Sequence, residues 1–285
     1  MRDLRGFFIR ENPFHPSHPR SIKTMKRELT FLLALWKANL LAAMEYRASF
    51  ISQVIGMMLN NAFYFVFWWV FFDRFEQIRG WELKDMFLMF GVVAAAFGAG
   101  VFLFGNALLL ADVIAGGRLD YYLSLPRPVL IHTLASRSQA SGMGDFLYGV
   151  LSFLIAGQYS LDSIARFVIG VVFATTVFIS FFVLVQSLAF WTGNASMLAQ
   201  QAQNAIITFA IYPITLFDGT AKFLLFTVVP AAFIGAIPAE FIRAFTWGNL
   251  VLLVGAASGF LTLSVFVFHR GLRRYESGSA IQVQL

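Results

Sequence analysis

The chain has 285 residues, of which 59% are apolar and only 13% are charged, against about 45–50% and about 25% in soluble domains. A soluble fold of this composition lacks the polar residues that cover a core, and disordered chains are poor in the aromatic residues that make up 17% here. The sequence therefore predicts an all-α polytopic membrane protein. Because the chain has no cysteine, disulfides, thiolate metal sites and cysteine nucleophiles are excluded.

The net charge of +6 is concentrated ahead of the first hydrophobic stretch. Anionic lipid headgroups are the simplest partner for such a segment, so we expect contact with membrane lipids and no binding of nucleic acid. Residues 1–25 are predicted to form a cytosolic N-terminal arm that precedes a transmembrane domain of residues 26–285. The basic residues in question are Arg2, Arg5, Arg10, Arg20, Lys23, Lys26 and Arg27.

Six stretches are long and apolar enough to cross a bilayer, which takes about 20 residues per helix. The fifth is rich in Gln and Asn in its first half, so that half either extends into the cytosol or lines a cavity. Glycines in the second, Gly98 and Gly105, favour close helix packing. The six predicted transmembrane helices cover residues 51–72, 85–110, 142–159, 166–191, 195–217 and 247–268.

The basic residues also predict the orientation, because Lys and Arg are enriched on the cytosolic side of a membrane. With the N-terminus in the cytosol, 15 of the 21 basic residues lie in cytosolic segments and six in outer segments. Both termini are therefore predicted to be cytoplasmic, including a C-terminal tail of residues 269–285.

Two further apolar segments are not predicted to be simple spans. Residues 28–47 keep charged residues among leucines, which is typical of an interfacial elbow helix, with an ordinary span as the alternative. Residues 218–243 contain Pro230 and Pro238, which interrupt a straight helix. They predict a re-entrant helical pair before the last span. A seventh span is the alternative, but it would move the basic tail outside.

Motifs for chemistry are absent. The sequence has no Gly-x-x-x-x-Gly-Lys-Ser/Thr loop, and its four histidines lack the spacing of metal ligands. We therefore expect no metal, no cofactor and no catalysis in this chain. Asp145, near the start of the third predicted span, either caps that helix or lines a path with Arg137 as its partner.

The most distinctive cytosolic segment lies within the predicted loop 111–141. Gly116 and Gly117 end the preceding helix, and Pro126 and Pro128 stop the short amphipathic piece that follows. Because aromatic and Arg residues dominate interface energetics, the segment is either a docking element or a plain connecting loop. Its candidate residues are Gly117, Arg118, Leu119, Asp120, Tyr121, Tyr122, Leu125, Pro126, Arg127 and Pro128.

Over about residues 26–280 the sequence resembles the permease subunits of ABC-2 type exporters, in a bacterial branch of uncharacterised ABC transport systems. Each motif is weak alone, but they occur in the family's order. They are Met44-Glu-Tyr-Arg-Ala-Ser-Phe50, Gly80-Trp81, the 117–128 loop, Gly144-Asp-Phe, the pair Pro230 and Pro238, and Gly271-Leu-Arg-Arg-Tyr275.

The resemblance implies a transmembrane permease subunit of an ATP-driven exporter in the bacterial cytoplasmic (inner) membrane. Its expected partners are a second permease, identical or homologous, and two copies of a cytosolic ABC ATPase that binds ATP and Mg. Residues 117–128 would form the coupling helix, and the elbow helix with Glu45, Tyr46 and Arg47 would touch the ATPase too. Arg118 stands where the family commonly has Glu.

An ATP-independent secondary carrier and a membrane-embedded lipid-processing enzyme are the alternatives to this function. For the permease, we expect the dimer interface at span one or five, with the substrate path between protomers. The aromatic surface of span one suits lipid contact or an amphiphilic substrate.

Overall fold

The computed structural model describes residues 20–193 and 195–275, which form helices and no β-sheet. Most of the predicted N-terminal arm (1–25) and the last ten residues of the predicted tail lie outside the described residues. In chain order the helices are α1 (Arg20–Met44), α2 (Arg47–Phe72), α3 (Leu83–Leu103), α4 (Leu110–Ala115), α5 (Leu119–Leu123), α6 (Val129–Ala135), α7 (Ser141–Ile155), α8 (Leu161–Ser187), α9 (Ala189–Thr192), α10 (Ser196–Ala210), α11 (Gly219–Thr227), α12 (Ala236–Arg243) and α13 (Trp247–Leu272).

The described residues contain four helical stretches that can cross a membrane: α2, α3, α13 and the α8–α9 stretch Leu161–Thr192. The bent pair of α11 and Ala231–Arg243 makes a fifth if it counts as one span. The all-α membrane fold is confirmed, but the count of six spans is not. At the third and fifth predicted spans, α7 and α10 have only 15 residues each, about 22 Å of helix against about 30 Å of hydrocarbon.

The second predicted span (85–110) is wrong at its end, because α3 stops at Leu103. The backbone amide of Gly105 donates to the carbonyl of Arg137 at 2.9 Å instead of continuing the helix. A Cβ at Gly105 would lie 2.7 Å from that carbonyl oxygen, so only glycine allows the approach. Gly105 therefore marks a helix break rather than the helix packing that the sequence predicted.

Gln186 of α8 replaces the backbone hydrogen bonds that are lost at this break. Its side-chain amide donates to the carbonyl of Leu108 at 2.6 Å and accepts from the amide of Ala111 at 2.8 Å. The side chain is almost completely buried. Because buried backbone groups need partners, Gln186 keeps the interrupted helix stable inside the protein.

The centre of the fold is the contact of α3 with α7, where two helix backbones approach closely at glycines. A Cβ at Gly98 would overlap the backbone of Gly142 and Phe146, and one at Gly149 would overlap the backbone of Ala95. Such small-residue contacts let helices pack without a water-driven hydrophobic force. The packing predicted for Gly98 is confirmed.

Asp145 joins α7 to α2. Its Oδ1 accepts a hydrogen bond from the side-chain amide of Asn61 at 2.6 Å, and the residue is only 2% exposed. The prediction that Asp145 caps the helix is wrong, because α7 already begins at Ser141. Its partner is Asn61 rather than the predicted Arg137, whose side chain is exposed.

The segment predicted to be re-entrant is bent by 65° between α11 and the residues that follow. The bend lies at Pro230, whereas Pro238 sits in the first turn of α12, where a missing amide hydrogen costs nothing. Gly235 between them touches the end of α10, since a Cβ there would overlap the carbonyl of Ala210. The bend is therefore fixed by one proline and one glycine.

The helix predicted at 28–47 is α1, which begins earlier, at Arg20, and ends earlier, at Met44. Leu29, Leu33 and Leu41 are more than half exposed, as an interfacial helix requires. The placement of α1 in the membrane interface stays a prediction.

We predict that Gly98→Ala destabilises the protein by about 1–3 kcal/mol, as overpacking against backbone does. Gly255→Ala in α13 is the matched control, because a Cβ there meets nothing within 4 Å. Thermal unfolding in detergent, followed by circular dichroism, measures both variants. Equal midpoints would contradict the central role of the α3–α7 contact.

Candidate functional site

The 117–128 segment begins at a tight turn after α4. Gly117 has a φ of +69°, the left-handed conformation that glycine adopts without strain. The amide of Arg118 donates to the carbonyl of Val113 at 3.0 Å, which closes the end of α4. Leu119, the first residue of α5, is fully buried. It anchors the short helix to the body of the protein.

The two tyrosines of α5 have different environments. The hydroxyl of Tyr122 shares a hydrogen bond with Oγ of Ser136 at 2.7 Å, and its ring meets the imidazole of His132 edge-on, with centroids 5.3 Å apart. Tyr121 is 64% exposed and Leu123 is 44% exposed. Tyr122 therefore holds α5 in place, while Tyr121 and Leu123 point outward.

Arg127 ties the end of the segment to α1. Its guanidinium donates to Oε1 of Glu28 at 2.9 Å and lies 4.1 Å from the centroid of the Phe31 ring. The charged side chains are only 26% and 28% exposed, so water screens this pair less than a typical surface pair. Leu125 and Pro126 form the turn before Arg127, and Pro128 immediately precedes α6.

Farther along, α1 contacts the ends of two other elements. The side-chain amide of Asn39 donates to the carbonyl of Ala135, the last residue of α6, at 3.1 Å. The indole of Trp36 donates to the carbonyl of Leu103, the last residue of α3, at 2.7 Å. Both carbonyls lie at helix C-termini, where no backbone partner is available. Thus α1 links the 117–128 segment to α3.

The three predicted elbow residues lie apart from this segment. Glu45 and Tyr46 form the turn between α1 and α2, and Arg47 is the first residue of α2. All three are exposed, and Tyr46 is 73% exposed. They lie at the opposite end of α1 from Glu28, about 25 Å away along a helix, so the structure does not bring them to the 117–128 segment.

Tyr275, just after α13, belongs to the same surface. Its ring lies 6.3 Å from that of Phe190. Burial, together with the nearby Asp120 carboxylate, raises the pKa of Tyr275 to about 12. Gly271, one turn earlier, allows this packing, since a Cβ there would overlap the Phe190 ring. The contact of Tyr275 with Phe190 was not predicted from the sequence, because no local pattern relates residues so far apart in the chain.

His132 lies at the centre of the junction between α1, α5 and α6. It is 7% exposed, and its ring meets Phe31 edge-on at 5.0 Å as well as Tyr122. Burial lowers the pKa of His132 below its ordinary value of 6.5, the positive charge of Arg127 lowers it further, and Glu28 opposes both. The folded junction therefore disfavours protonation of His132.

At the opposite end of the molecule, the turn between α2 and α3 binds the start of the bent pair. Arg79 and Gly80 both have positive φ angles, +46° and +84°, and the backbones of Ile78 and Trp81 pair across the turn. This places the Arg79 guanidinium 3.1 Å from the carboxylate of Asp218, which precedes α11.

The same turn also binds the end of the bent pair. Arg243, the last residue of α12, donates to the carbonyl of Gly80 at 3.1 Å and to the carboxylate of Asp85 at 3.0 Å. The Asp85 side chain is 7% exposed. Arg166 of α8 donates to the carbonyl of Ile242 at 2.9 Å. We call this set of bonds from Arg79, Arg166 and Arg243 the arginine clamp.

The part of the chain that the structure describes holds no group of three or more His, Asp or Glu residues that would bind a metal ion. That ATP and Mg bind to a partner ATPase stays a prediction.

The comparison with known families decides the class of protein. A family model described as ABC-2 family transporter protein matches residues 58–279, more than three-quarters of the chain. This chain belongs to the ABC-2 transporter family. A permease role in ABC transport follows, with an ABC ATPase as the partner that the family implies, and the resemblance in the sequence is confirmed. Neither a curated protein nor a solved structure matches the chain.

The match to the ABC-2 family includes the 117–128 segment, the arginine clamp, the bent pair and Tyr275, but not α1. The contacts of α1 with Arg127, Ala135 and Leu103 thus attach a helix outside the matched region to the ABC-2 region.

We predict that the stability of this ABC-2 protein falls as the pH drops below about 6.5. The unfolded His132 binds a proton there while the folded one, with its lowered pKa, resists it. His132→Phe should flatten this part of the pH profile of the thermal midpoint. His269→Gln, which replaces an exposed histidine at the end of α13, is the matched control. An unchanged slope in His132→Phe would contradict the assignment.

We also predict that Asp85→Ala destabilises the protein by about 1–3 kcal/mol, because it leaves Arg243 without its carboxylate and the backbone amide of Glu82, the N-cap of α3, without its acceptor. Lys84→Ala removes a neighbouring charge that pairs with Glu82 on the surface, and it should leave the thermal midpoint unchanged. Equal losses in the two variants would argue against the arginine clamp.

Proposed function

We propose that this ABC-2 family protein is the permease subunit of an ATP-driven exporter in a bacterial cytoplasmic membrane. It forms the substrate path with a second permease, identical or homologous, and two copies of a cytosolic ABC ATPase drive the cycle. The observation that carries the proposal is the outward position of Tyr121 and Leu123 on a helix that Leu119 and Tyr122 fix to the body of the protein.

The distribution of charge supports a cytosolic position for this surface. Six arginines belong to the loop and tail on the side of α5: Arg118, Arg127, Arg137, Arg270, Arg273 and Arg274. Loops rich in Lys and Arg remain in the cytosol, which is where an ATPase is found. In this orientation both termini are cytoplasmic and the arginine clamp faces outward.

A rigid attachment is what a coupling helix needs, because a loose loop absorbs displacement. Leu119 and Tyr122 attach α5 to the core and to α6, and Arg127 attaches the segment to α1. Tyr275 lies beneath it at the end of α13. A push on Tyr121 therefore reaches three other helices.

The exposed Arg118 departs from the Glu common in this family. We propose that it meets a carboxylate on the ATPase, so that the pair is reversed in sign relative to other members. Such complementary charges set the partner choice and the association rate more than the affinity.

The exposed faces of α2 and α10 support assembly with a second permease. In the 18-residue apolar stretch of α2, only 17% of the residues are buried within the chain. The helix α10 exposes polar residues along one side. A polar helix face in a membrane normally meets protein or water. We propose that these two faces meet the second permease, with the substrate path between them.

The double variant Tyr121→Ala/Leu123→Ala tests the coupling surface. We expect the amount of ATPase that co-purifies in mild detergent to fall about tenfold, which corresponds to about 1.4 kcal/mol. Tyr159→Ala is the control, since Tyr159 is equally exposed (68%) but lies just before α8 at the outer end. Tyr122→Ala is a poor test, because it removes the bond to Ser136 and disturbs the fold.

Unchanged recovery of the ATPase with the double variant would overturn the coupling assignment. If the native chain purifies stably with no ATPase under the same conditions, the exporter proposal fails and an ATP-independent carrier takes its place. Mass spectrometry of the purified complex identifies the ATPase and shows whether the second permease is identical.

A further inference from the structure

The buried carboxyl group of Asp145 has one oxygen without a partner. The side chain lies where α7 packs against α2 and α3, and the residue is only 2% exposed. Its Oδ1 accepts a hydrogen bond from the side-chain amide of Asn61. Its Oδ2 is buried and has no hydrogen-bond partner among the described residues. Because buried polar atoms are almost always hydrogen-bonded, this oxygen points to a bound group.

The helices packed around Asp145 bring no charge to it. Residues 48–72 of α2, residues 86–111 in and after α3, and the rest of α7 contain no Asp, Glu, Lys, Arg or His. The titratable side chains of these segments, besides Asp145, are Tyr64 and Tyr148, and a phenol is uncharged at neutral pH. No counter-charge therefore compensates a carboxylate at this position.

These surroundings favour a neutral carboxyl group. A carboxylate that is buried without a counter-charge loses its hydration, and a single hydrogen bond regains little of it. A proton on Oδ2 removes the charge and converts this oxygen from an acceptor into a donor. The positive end of α7 does not replace a counter-charge, because Asp145 is the fifth residue of the helix and the helix-end field is confined to the first turn.

Asp85 shows the contrasting case within the same protein. Its side chain is only 7% exposed, but a guanidinium nitrogen of Arg243 lies 3.0 Å from its carboxylate. The negative charge is compensated there, so burial does not require a proton. Asp85 and Asp145 are therefore a matched pair of buried aspartates, one with a counter-charge and one without.

The carboxyl group of Asp145 also attaches the first half of α2. A Cβ at Gly144 would lie 2.4 Å from the carbonyl oxygen of Val54, so the backbones of α7 and α2 touch beside Asp145. In the part of the chain that the structure describes, the bond from Asn61 is the one hydrogen bond from an α2 side chain to another helix. The buried residues of α2 lie beyond Asn61. A charge on Asp145 would thus arise where few other contacts hold α2.

We propose that Asp145 is a proton-binding site, which is occupied while α2 packs against α7 and is emptied when α2 moves away and water reaches the carboxyl group. The neutral acid fits the uncharged contact, whereas the carboxylate favours separation of the two helices. Raising the pH therefore weakens the packing of α2, since the separated state gives up the proton more readily.

The proton site itself follows from the packing of α2, α3 and α7. Its role in transport rests on the proposed function, in which the exposed face of α2 meets the second permease. A proton that leaves when α2 separates from α7 would make the position of α2 in the cycle sensitive to pH.

Infrared spectroscopy of the purified full-length chain in detergent tests the protonation directly, because the carbonyl stretch of a carboxylic acid is separate from the carboxylate bands. Exposed aspartates are ionised at neutral pH, since they lose their proton near about pH 4. We expect a carboxylic acid component at neutral pH that Asp145→Asn removes and the matched control Asp85→Asn retains. Asn61→Ala should retain the component but shift its frequency, because the hydrogen bond to Oδ1 is lost.

Three outcomes would overturn the proton site. The first is a carboxylic acid component that is the same in the native chain and in Asp145→Asn. The second is a component that Asn61→Ala leaves unshifted, since it would then belong to another carboxyl group. The third is a thermal midpoint that rises in sodium chloride relative to choline chloride in the native chain but not in Asp145→Asn, because a metal cation would then occupy the site.

The cysteine-free chain allows the packing of α2 to be measured separately. Met57→Cys reports on the contact with α7, because the Cβ of Met57 lies 2.9 Å from the position of a Cβ at Gly144. Leu59→Cys is the control, since Leu59 is 54% exposed. The ratio of their labelling rates with N-ethylmaleimide cancels the effect of pH on thiol reactivity.

We expect the ratio of Met57→Cys to Leu59→Cys labelling to rise severalfold from neutral to alkaline pH, and to stay constant when Asp145→Asn is added. An equal rise with and without Asp145→Asn would overturn the link between this proton and the packing of α2. Neither measurement involves the ATPase, so the proton site can fail while the permease assignment stands, and the reverse.

Discussion

The close approach of α3 to α7 is the constraint on which the remaining structure depends. Their backbones touch at Gly98, Gly142 and Gly149, where no side chain fits between them. With α7 this close, Asp145 reaches Asn61 of α2 and is hydrogen-bonded although buried. In the 18-residue apolar stretch of α3, 72% of the residues are buried. It is therefore the helix around which α2, α7 and α8 are arranged.

The two ends of α3 are fixed by different chemistry. At its start, Asp85 binds Arg243, so the entry of α3 is tied to the end of the bent pair. At its end, the carbonyl of Leu103 accepts a hydrogen bond from Trp36 of α1. The same helix carries Glu28, which binds Arg127. One helix therefore connects the arginine clamp with the 117–128 segment. This continuity gives a physical route between the surface proposed to meet the ATPase and the opposite end of the molecule.

Composition and hydrophobic runs were sufficient to predict the helical membrane fold, because the bilayer limits the possible structures so strongly. The short turn at Gly116 and Gly117, the separate helix α5 and the bend at Pro230 also followed from local residues. The lengths of α7 and α10 did not, since apolar residues continue beyond their ends in the sequence. The ends are set by contacts with distant residues, as Gly105 with Arg137 illustrates.

The contacts of the candidate site divide in the same way. Sequence patterns identified residues 117–128, but not which tyrosine faces outward, because that depends on Ser136 and His132 of the next helix. The arginine clamp was not predicted, because its bonded residues are far apart in the sequence. Asp85 and Arg243, for example, are separated by 158 positions. The resemblance assigned Glu45, Tyr46 and Arg47 to the ATPase contact. In the structure they lie beyond the end of α1, far from the part of α1 that binds Arg127.

Gln186 gives the helix break a consequence for motion. The carbonyl of Leu108 and the amide of Ala111 are bound by a side chain of α8 and not by their own helix. If residues 103–115 became one continuous helix, the two backbone groups would bind within that helix and no longer need Gln186. If α8 moved away, the same two groups would lose their hydrogen-bond partner in a medium without water. The shape of one helix and the position of the other are thus reciprocally dependent: neither can change while its neighbour keeps its present state.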